Sequence, residues 1–356
     1  MANPRFQRWA AGFPPTRGIA RRNTRALFDL CAGFVYAQVL TACIRLDLFA
    51  ILADGPMPTE LLSRRLDLPL ENARRLLRAA ELLGLVRSLK GDRYALADLG
   101  AALNGNPGIA AMVEHHALLY DDLADPVRLL RGQAQPTRLS GYWPYASGTA
   151  AEPEAYARYS ALMGASQAMI AEDVLDACDL SGTRHLMDVG GGEGVFLEAV
   201  AARHAHLDLT LFDLPTVAER AAARLSRLGL GDRIPCRGGD FHAGLPQGAD
   251  TISLVRIVHD HDDRPAQALL AAAHAALPPG GRLILAEPMA GTPGAEPAGD
   301  AYFGLYLLAM GAGRPRRSAE LSAMLREAGF ASVREPKTRR PLLARMLIAR
   351  KMAAPS

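Results

Sequence analysis

His185-Leu186-Met187-Asp188-Val189-Gly190-Gly191-Gly192-Glu193-Gly194 is a short apolar run that ends in glycines, and the residues that follow, 195–204, recur at helical spacing. Glycines let a strand turn sharply into a helix and approach a ligand closely, and the helix start offers it unpaired N–H groups. Two nucleotide-binding readings compete for such a loop. A dinucleotide fold needs G-x-G-x-x-G, whose third glycine would fall on Val195, so the spacing is Asp-x-Gly-x-Gly-x-Gly instead.

Outward from this loop, short apolar runs alternate with Ala- and Leu-rich helical segments. Strands are expected at 185–189, 207–212, 234–237, 251–256 and 283–287, with a terminal pair at 332–335 and 342–349. That alternation predicts a parallel sheet wrapped by helices. The second strand ends Phe212-Asp213, near the ~20-residue offset at which a carboxylate reaches a ribose diol. Asp240-Phe241, after the third strand, offers a carboxylate and an aromatic face to an adenine, a capping Asp beside a buried Phe being the plainer account.

The fourth strand runs into Val255-Arg256-Ile257-Val258-His259-Asp260-His261-Asp262-Asp263. Adjacent His and Asp residues do not share one helix face, so no metal site is expected. An imidazole at the C-terminal end of a strand, beside the crevice of an open α/β sheet, suits general-base work. Glu287 closes the next strand and can orient His259 by accepting from its second ring nitrogen. On residues 300–310, Phe303, Leu307 and Met310 fall on one helix face. With Met163 and Met169 from an earlier helix they can line a long apolar pocket, or form plain core.

The N-terminal half reads differently. Residues 25–52 are helical until Gly55-Pro56-Met57-Pro58, and helices at 59–66 and 71–83 then precede short strands at 85–88 and 93–96 around Lys90-Gly91-Asp92. Helix, turn, helix, hairpin is a winged-helix outline. The apolar run 30–44 is too short to span a bilayer and is expected to be a buried helix. Residues 132–153 form a long loop carrying Tyr142, Trp143 and Tyr145, and helical periodicity resumes over 154–178. Four regions are expected: a basic arm (1–24), a winged-helix domain (25–104), a helical substrate-lining region (105–180) and a ligand-binding α/β domain (181–352).

In combination, Asp188-Val189-Gly190-Gly191-Gly192, Phe212-Asp213-Leu214-Pro215, Gly238-Gly239-Asp240-Phe241, Val258-His259-Asp260, Leu277-Pro278-Pro279-Gly280-Gly281 and Ala286-Glu287-Pro288 resemble the class I small-molecule O-methyltransferases of the caffeate and acetylserotonin type. The resemblance covers about residues 155–350, and residues 25–100 resemble that family's winged-helix dimerisation domain. It implies an α/β fold, a Rossmann-like methyltransferase domain with a mostly parallel sheet and an antiparallel terminal strand, preceded by the helical dimerisation domain of a homodimer. It further implies S-adenosyl-L-methionine held by Asp188, Gly190, Gly191, Gly192, Asp213, Leu214, Asp240, Phe241 and Arg256. His259 is then the catalytic base, with Glu287 and Asp260 beside it. Two departures stand out: Gly313-Arg314-Pro315-Arg316 lacks the acid that many relatives carry there, and Val255 stands where plant members place a lysine. Phe34-Val35-Tyr36-Ala37-Gln38-Val39-Leu40, Val258-His259-Asp260-His261-Asp262-Asp263, Glu287-Pro288-Met289-Ala290-Gly291 and Tyr306-Leu307-Leu308-Ala309-Met310-Gly311-x-Gly313-Arg314-Pro315-Arg316 are similar to the branch that methylates hydroxylated acyclic carotenoids in purple photosynthetic bacteria. That branch's acceptor is a tertiary alcohol, which implies proton removal concerted with methyl transfer. A bacteriochlorophyll precursor or a polyketide phenol is the alternative acceptor, and a winged-helix DNA-binding regulator the alternative class.

The chain has 356 residues and a formal charge of +3, from 40 basic and 37 acidic residues, which excludes a general nucleic-acid coat. Cys31, Cys43, Cys178 and Cys236 have no metal or disulfide spacing, and the start lacks the apolar stretch of an export signal, so a cytoplasmic protein is expected. Arg5, Arg8, Arg17, Arg21, Arg22 and Arg25 precede the first acid, Asp29. With Phe6, Trp9 and Phe13 at i, i+3, i+7, this arm reads either as a short helix meeting acidic lipid at a photosynthetic membrane or as an arm packed on a dimer partner.

Overall fold

A computed structural model of the chain describes residues 3–142 and 153–354. Trp143 and Tyr145 of the expected loop lie outside the described residues. The chain divides into two units, Met1–Glu114 and His115–Ser356.

The first unit begins with α1 (Pro4–Gly12), capped by Asn3, whose side chain accepts from the Arg5 N–H at 2.9 Å. Then come α2 (Pro14–Arg45) and α3 (Leu48–Ala53). The winged outline follows as β1 (Met57–Pro58), α4 (Thr59–Arg65), α5 (Leu70–Leu82), β2 (Val86–Leu89) and β3 (Arg93–Leu96), completed by α6 (Asp98–Asn104) and the first half of α7 (Pro107–Asp122). Strand β3 pairs antiparallel with both β1 and β2. Gly91 and Asp92 turn the hairpin with φ of 78° and 54°, the left-handed pair a tight right-twisted hairpin requires. Leu48, Leu52, Leu62, Leu77 and Val86 centre this unit's core.

One expectation is overturned. The run 30–44 is not a buried helix: it belongs to the 32-residue α2, on which Thr41 and Cys43 alone are buried, while Leu30 is 80% and Phe34 66% exposed. Its apolar residues are spread around the helix, so no single stripe can be covered by the small core of one unit. By length and composition α2 could cross a membrane. The same two properties suit a helix covered by a second chain.

The second unit contains α8 (Pro126–Leu130), α9 (Arg138–Tyr142) and α10 (Pro153–Ala177), so the expected long loop carries a helical turn. An alternating series follows: β4 (His185–Val189), α11 (Val195–Arg203), β5 (Asp208–Asp213), α12 (Pro215–Arg227), β6 (Cys236–Gly238), β7 (Thr251–Val255), α13 (Asp263–Ala276) and β8 (Arg282–Glu287). A π-helical turn, Pro297–Tyr302, leads into α14 (Phe303–Met310), and α15 (Ser318–Glu327), β9 (Ser332–Arg334) and β10 (Arg345–Arg350) end the fold. The sheet order is β6-β5-β4-β7-β8-β10-β9, with β10 antiparallel to both neighbours and the other pairs parallel. Chain order reverses beside β4, which puts a crevice at the C-terminal ends of β4 and β7. One apolar layer, including Phe196, Leu211 and Ile284, and a second, including Val189, Leu254 and Leu285, bury the sheet.

Gly100 shows how tightly the first unit is packed. A Cβ there would stand 2.1 Å from the Leu85 carbonyl oxygen. Gly100→Ala must push α6 off the start of the hairpin, at a cost of about 1–3 kcal/mol, seen as a lower urea midpoint with unchanged m-value.

Candidate active site

The turn after β4 is held by glycine geometry. Gly190 and Gly192 have φ of 71° and 56°, and a Cβ on Gly190 would meet the Ile257 side chain at 2.5 Å. Space above Gly192 is open. Asp188 lies beneath the loop, 2% exposed, its Oδ1 accepting the Ser253 hydroxyl at 2.6 Å. Burial pushes its pKa up to about 7. Asp213 at the end of β5 accepts the Gly192 N–H at 2.8 Å on one oxygen and the Leu214 N–H at 2.7 Å on the other. Each oxygen keeps a second acceptor site. Burial raises Asp213 to about 6, against the lowering effect of those two N–H donors.

Glycines 190–192 form one wall of an open cleft. Met163, Gly164 and Gln167 of α10 face them, and Arg256 and Ile257, just after β7, close the floor. Arg256 adopts φ +61°, rare for a residue with a side chain and typical of sites where geometry outranks strain. Its guanidinium donates to Ser166 Oγ at 2.8 Å and Met163 Sδ at 3.6 Å, so its partners are uncharged. Asp240 is exposed and caps a short 3-10 turn by accepting the His242 N–H at 2.8 Å. Phe241 is half-buried, its ring 4.5 Å from that of His242 and 5.3 Å from that of His261.

His259 sits in a 3-10 turn, Val258–Asp260, and is 6% exposed. Its Nδ1 is bonded to Glu287 Oε2, and its Nε2 lies 3.1 Å from Asp260 Oδ1. Glu287, 1% exposed, also takes the N–H groups of Ile257 (3.0 Å) and Val258 (2.7 Å) on Oε1. Burial works against the imidazolium, but the carboxylates of Asp260 and Glu287 outweigh it and raise the His259 pKa. Burial likewise raises Asp260. Nearby, His261 is pushed down to about 4 by burial, helped by His242 and His259.

The apolar candidates divide. The Phe303 ring stands edge-on to His259 at 6.0 Å. Leu307 and Met310 are fully packed into a cluster with Leu119, Leu129 and Leu139, and Met163 packs against it. Met169 is half-buried further along α10, where its carbonyl accepts from Arg340 at 3.0 Å, and it is not among the residues lining the cleft. Three side chains around the site, His115, His116 and Tyr302, escaped the sequence reading, and Tyr306 entered it only within a motif. His115 and His116 of α7 bond to the hydroxyls of Tyr306 and Tyr302, each at 2.8 Å. Two histidines in succession were the one visible signal. No group of three or more His, Cys, Asp or Glu placed to hold a metal occurs among the described residues.

Comparison with known proteins gives a consistent result. Residues 120–331 match the model of the O-methyltransferase domain, and residues 28–105 that of the O-methyltransferase dimerisation domain. The chain is 44% identical over 350 residues to demethylspheroidene O-methyltransferase of Cereibacter sphaeroides, covering 97% of this chain and 92% of that one. It is 31% identical to mouse acetylserotonin O-methyltransferase, over 91% of this chain and 88% of that one. Among solved structures, the pyocyanin biosynthetic protein PhzM superposes with a TM-score of 0.77 at 24% identity, covering 93% and 99% of the two chains. Human N-acetylserotonin methyltransferase in complex with SAM gives 0.74 at 23%, covering 93% and 98%.

The two carboxylates on His259 make a measurable statement. Glu287→Gln keeps a carbonyl oxygen for Ile257 and Val258 but turns an amide toward Nδ1, so the His259 pKa falls in an NMR titration of the imidazole. Because pairing raises the folded value above 6.5, its stabilisation is complete below that pH and is lost as pH rises through the raised value. The urea stability of the wild type therefore exceeds that of Glu287→Gln by more at about pH 6 than at about pH 9.

Proposed function

The chain belongs to the O-methyltransferases that carry an N-terminal dimerisation domain, and from that premise we propose that it transfers a methyl group from S-adenosylmethionine to the hydroxyl of an acyclic carotenoid of the demethylspheroidene type. The observation that carries this reading is the His259–Glu287 pair, buried where β7 and β8 end, beside a glycine-walled cleft.

The residues present fit the cofactor. Gly190 leaves no room for a Cβ, the space above Gly192 is open, and Asp213 is a half-buried carboxylate with acceptor capacity to spare for a ribose. Asp213, Leu214 and the loop of Gly190, Gly191 and Gly192 would hold the nucleoside, with Asp188 bracing the loop from below. Phe241 would face the adenine, with Asp240 fixing the turn that presents it, and Arg256 would offer its charge to the carboxylate of the methionine part. When bound, S-adenosylmethionine supplies an electrophilic methyl on a sulfonium.

Proton handling falls to this chain's own residues. Glu287 holds the Nδ1 side of His259, so the acceptor's hydroxyl proton goes to Nε2, the nitrogen that now faces Asp260. Asp260 and Glu287 then stabilise the imidazolium. An aliphatic alcohol is a far weaker acid than a phenol, so proton removal accompanies methyl transfer, and alignment in a dry site provides most of the acceleration. Phe303 would border the reacting hydroxyl, with Met163 at the cleft wall; Leu307, Met310 and Met169 would shape the walls from behind.

The protein acts as a homodimer. Residues 28–105 form the dimerisation domain, and Phe28, Leu30, Phe34 and Val35, all exposed on α2, lie at its start. The arm before them meets a membrane surface. Along α1 and its C-cap the Phe6 ring is tilted against Trp9 at 5.8 Å and Trp9 stacks on Phe13 at 4.8 Å; the three stay 45%, 54% and 42% exposed and lie among arginines with no acid before Asp29. That is the composition of an interfacial helix on anionic lipid, where a bilayer-dissolved carotenoid would be found.

With demethylspheroidene and methyl-labelled S-adenosylmethionine, the purified protein is expected to yield a labelled methyl ether. His259→Ala retains cofactor affinity by calorimetry but loses turnover about 10²–10⁴-fold; unchanged turnover overturns His259 as the base. In the wild type, log kcat climbs with pH through the raised pKa of His259, because only neutral imidazole accepts the proton. In co-sedimentation, vesicles containing phosphatidylserine capture the wild type more strongly than the double variant Phe6→Ser, Trp9→Ser, and equal capture removes the lipid role of the arm.

A further inference from the structure

We infer that Arg316 is the positioning residue that holds His259 in register for proton transfer, acting on the backbone to either side of it. The inference rests on the reading of His259 as the base.

Arg316 is a long cation that is only 2% exposed. Its Nη1 donates to the Val258 carbonyl at 2.9 Å and its Nη2 to the His261 carbonyl at 2.7 Å, while Nε and Nη2 both reach Asp263 Oδ1, at 3.1 and 2.9 Å. Val258 and His261 flank the pair His259-Asp260, so one planar group grips the chain on both sides of that pair. Two neighbours reinforce the grip. The Arg314 N–H donates to the carbonyl of His259 itself at 2.9 Å, and the Gly313 N–H donates to Asp262 Oδ1 at 3.0 Å. Gly313 has φ +83°, and a Cβ there would stand 2.2 Å from the His259 carbonyl oxygen. Residues 313–316 therefore hold residues 258–263 at five points, the carbonyls of Val258, His259 and His261 and the carboxylates of Asp262 and Asp263. At its other end the segment is tied to the chain three residues past Glu287, since the Ala290 N–H donates to the Arg316 carbonyl at 3.0 Å.

Chemistry explains why this residue type is needed. A 3-10 turn of three residues has little internal hydrogen bonding to fix it, and a fork of fixed donors can satisfy two carbonyls and a carboxylate at once, whereas an ammonium is a point charge. Burying a guanidinium is costly and adds little stability over an apolar residue, so its return is geometry. The return is large where it matters, because misplacing a reacting group by about 1 Å costs on the order of 10²-fold in rate.

The test compares Arg316→Met and Arg316→Lys with the wild type for melting, cofactor affinity, KM, kcat and the pH dependence of kcat, with His259→Ala measured alongside. The expected result for a folded Arg316→Met is a kcat about 10²-fold lower, KM and cofactor affinity within about threefold, and a displaced pH inflection, because the His259–Glu287 contact loosens. Arg316→Lys should fall between the two. A folded Arg316→Met with kcat within about threefold of wild type and the same inflection overturns the proposal, as does a loss of rate that vanishes once the folded fraction is counted. If Arg316→Met does not fold, Arg316→Lys decides: the same split between kcat and KM supports the proposal, and wild-type kcat overturns it. Full turnover in His259→Ala removes the base and the clamp together. Loss there with an unchanged Arg316 variant removes the clamp alone.

Discussion

One carboxylate ties the catalytic half of this molecule together. Glu287 is the last residue of β8, and from there it reaches across to the end of β7, taking two backbone N–H groups on one oxygen and the His259 imidazole on the other. It can do so because β7 and β8 run parallel in a register that sets Val255 against Ala286. A slip of one residue would turn the Glu287 side chain to the opposite face and leave a buried charge without donors. Sheet register, the turn after β7 and the orientation of His259 are thus one constraint.

The cofactor side is organised on a different principle. Asp188 and Asp213 both lie above their ordinary carboxylate range, about 7 and about 6, because burial removes water that the loop only partly replaces. Each is bonded to its own scaffold, Asp188 to a serine on β7 and Asp213 to two backbone amides, so neither needs a ligand to hold its place. A loop built this way is set by the chain's own bonds, which spares any ligand held there the ordering cost that a mobile loop would incur.

Much of this was legible in the chain because it depends on local pattern. Glycine spacing with its preceding acid located the β4 turn, the alternation of short apolar runs with helical segments announced the parallel sheet, and Gly91-Asp92 marked the hairpin of the first unit. What escaped depends on partners distant in sequence. The helical turn α9 is capped by Asp122, sixteen positions before Arg138 and invisible to a local reading, with its two oxygens at 2.7 and 2.8 Å from the N–H groups of Arg138 and Leu139. Leu307 and Met310 could not be assigned to wall or core without knowing that α8 and α9 cover them. The face of α2 was misjudged for the same reason, since an apolar helix reads alike whether its own unit or a second chain covers it. Roles are a further matter. Arg256 lines the cleft, while His259, Glu287 and Asp260 form a bonded cluster behind it, joined to the cleft floor through the Ile257 N–H that Glu287 accepts. Their division of labour is settled by rate measurements.

The region beyond Phe303 bears on the acceptor. His115 and His116 are both held below the ordinary histidine range by burial, His115 at about 4, and the hydroxyl of Tyr302 is pushed up to about 12. Around neutral pH these groups are uncharged, and His115 with Tyr306 and His116 with Tyr302 spend hydrogen-bonding capacity on each other. Charge is carried instead by Arg256, which donates to Met163 at 3.6 Å, and by the His259 cluster, which meets this region at Phe303. An acceptor with ionic or strongly polar substituents would have to break those pairs to find partners, at the cost of leaving buried polar groups unmatched. A hydrocarbon with a single hydroxyl needs only one polar contact, and under the function proposed above His259, edge-on to Phe303 at 6.0 Å, provides it.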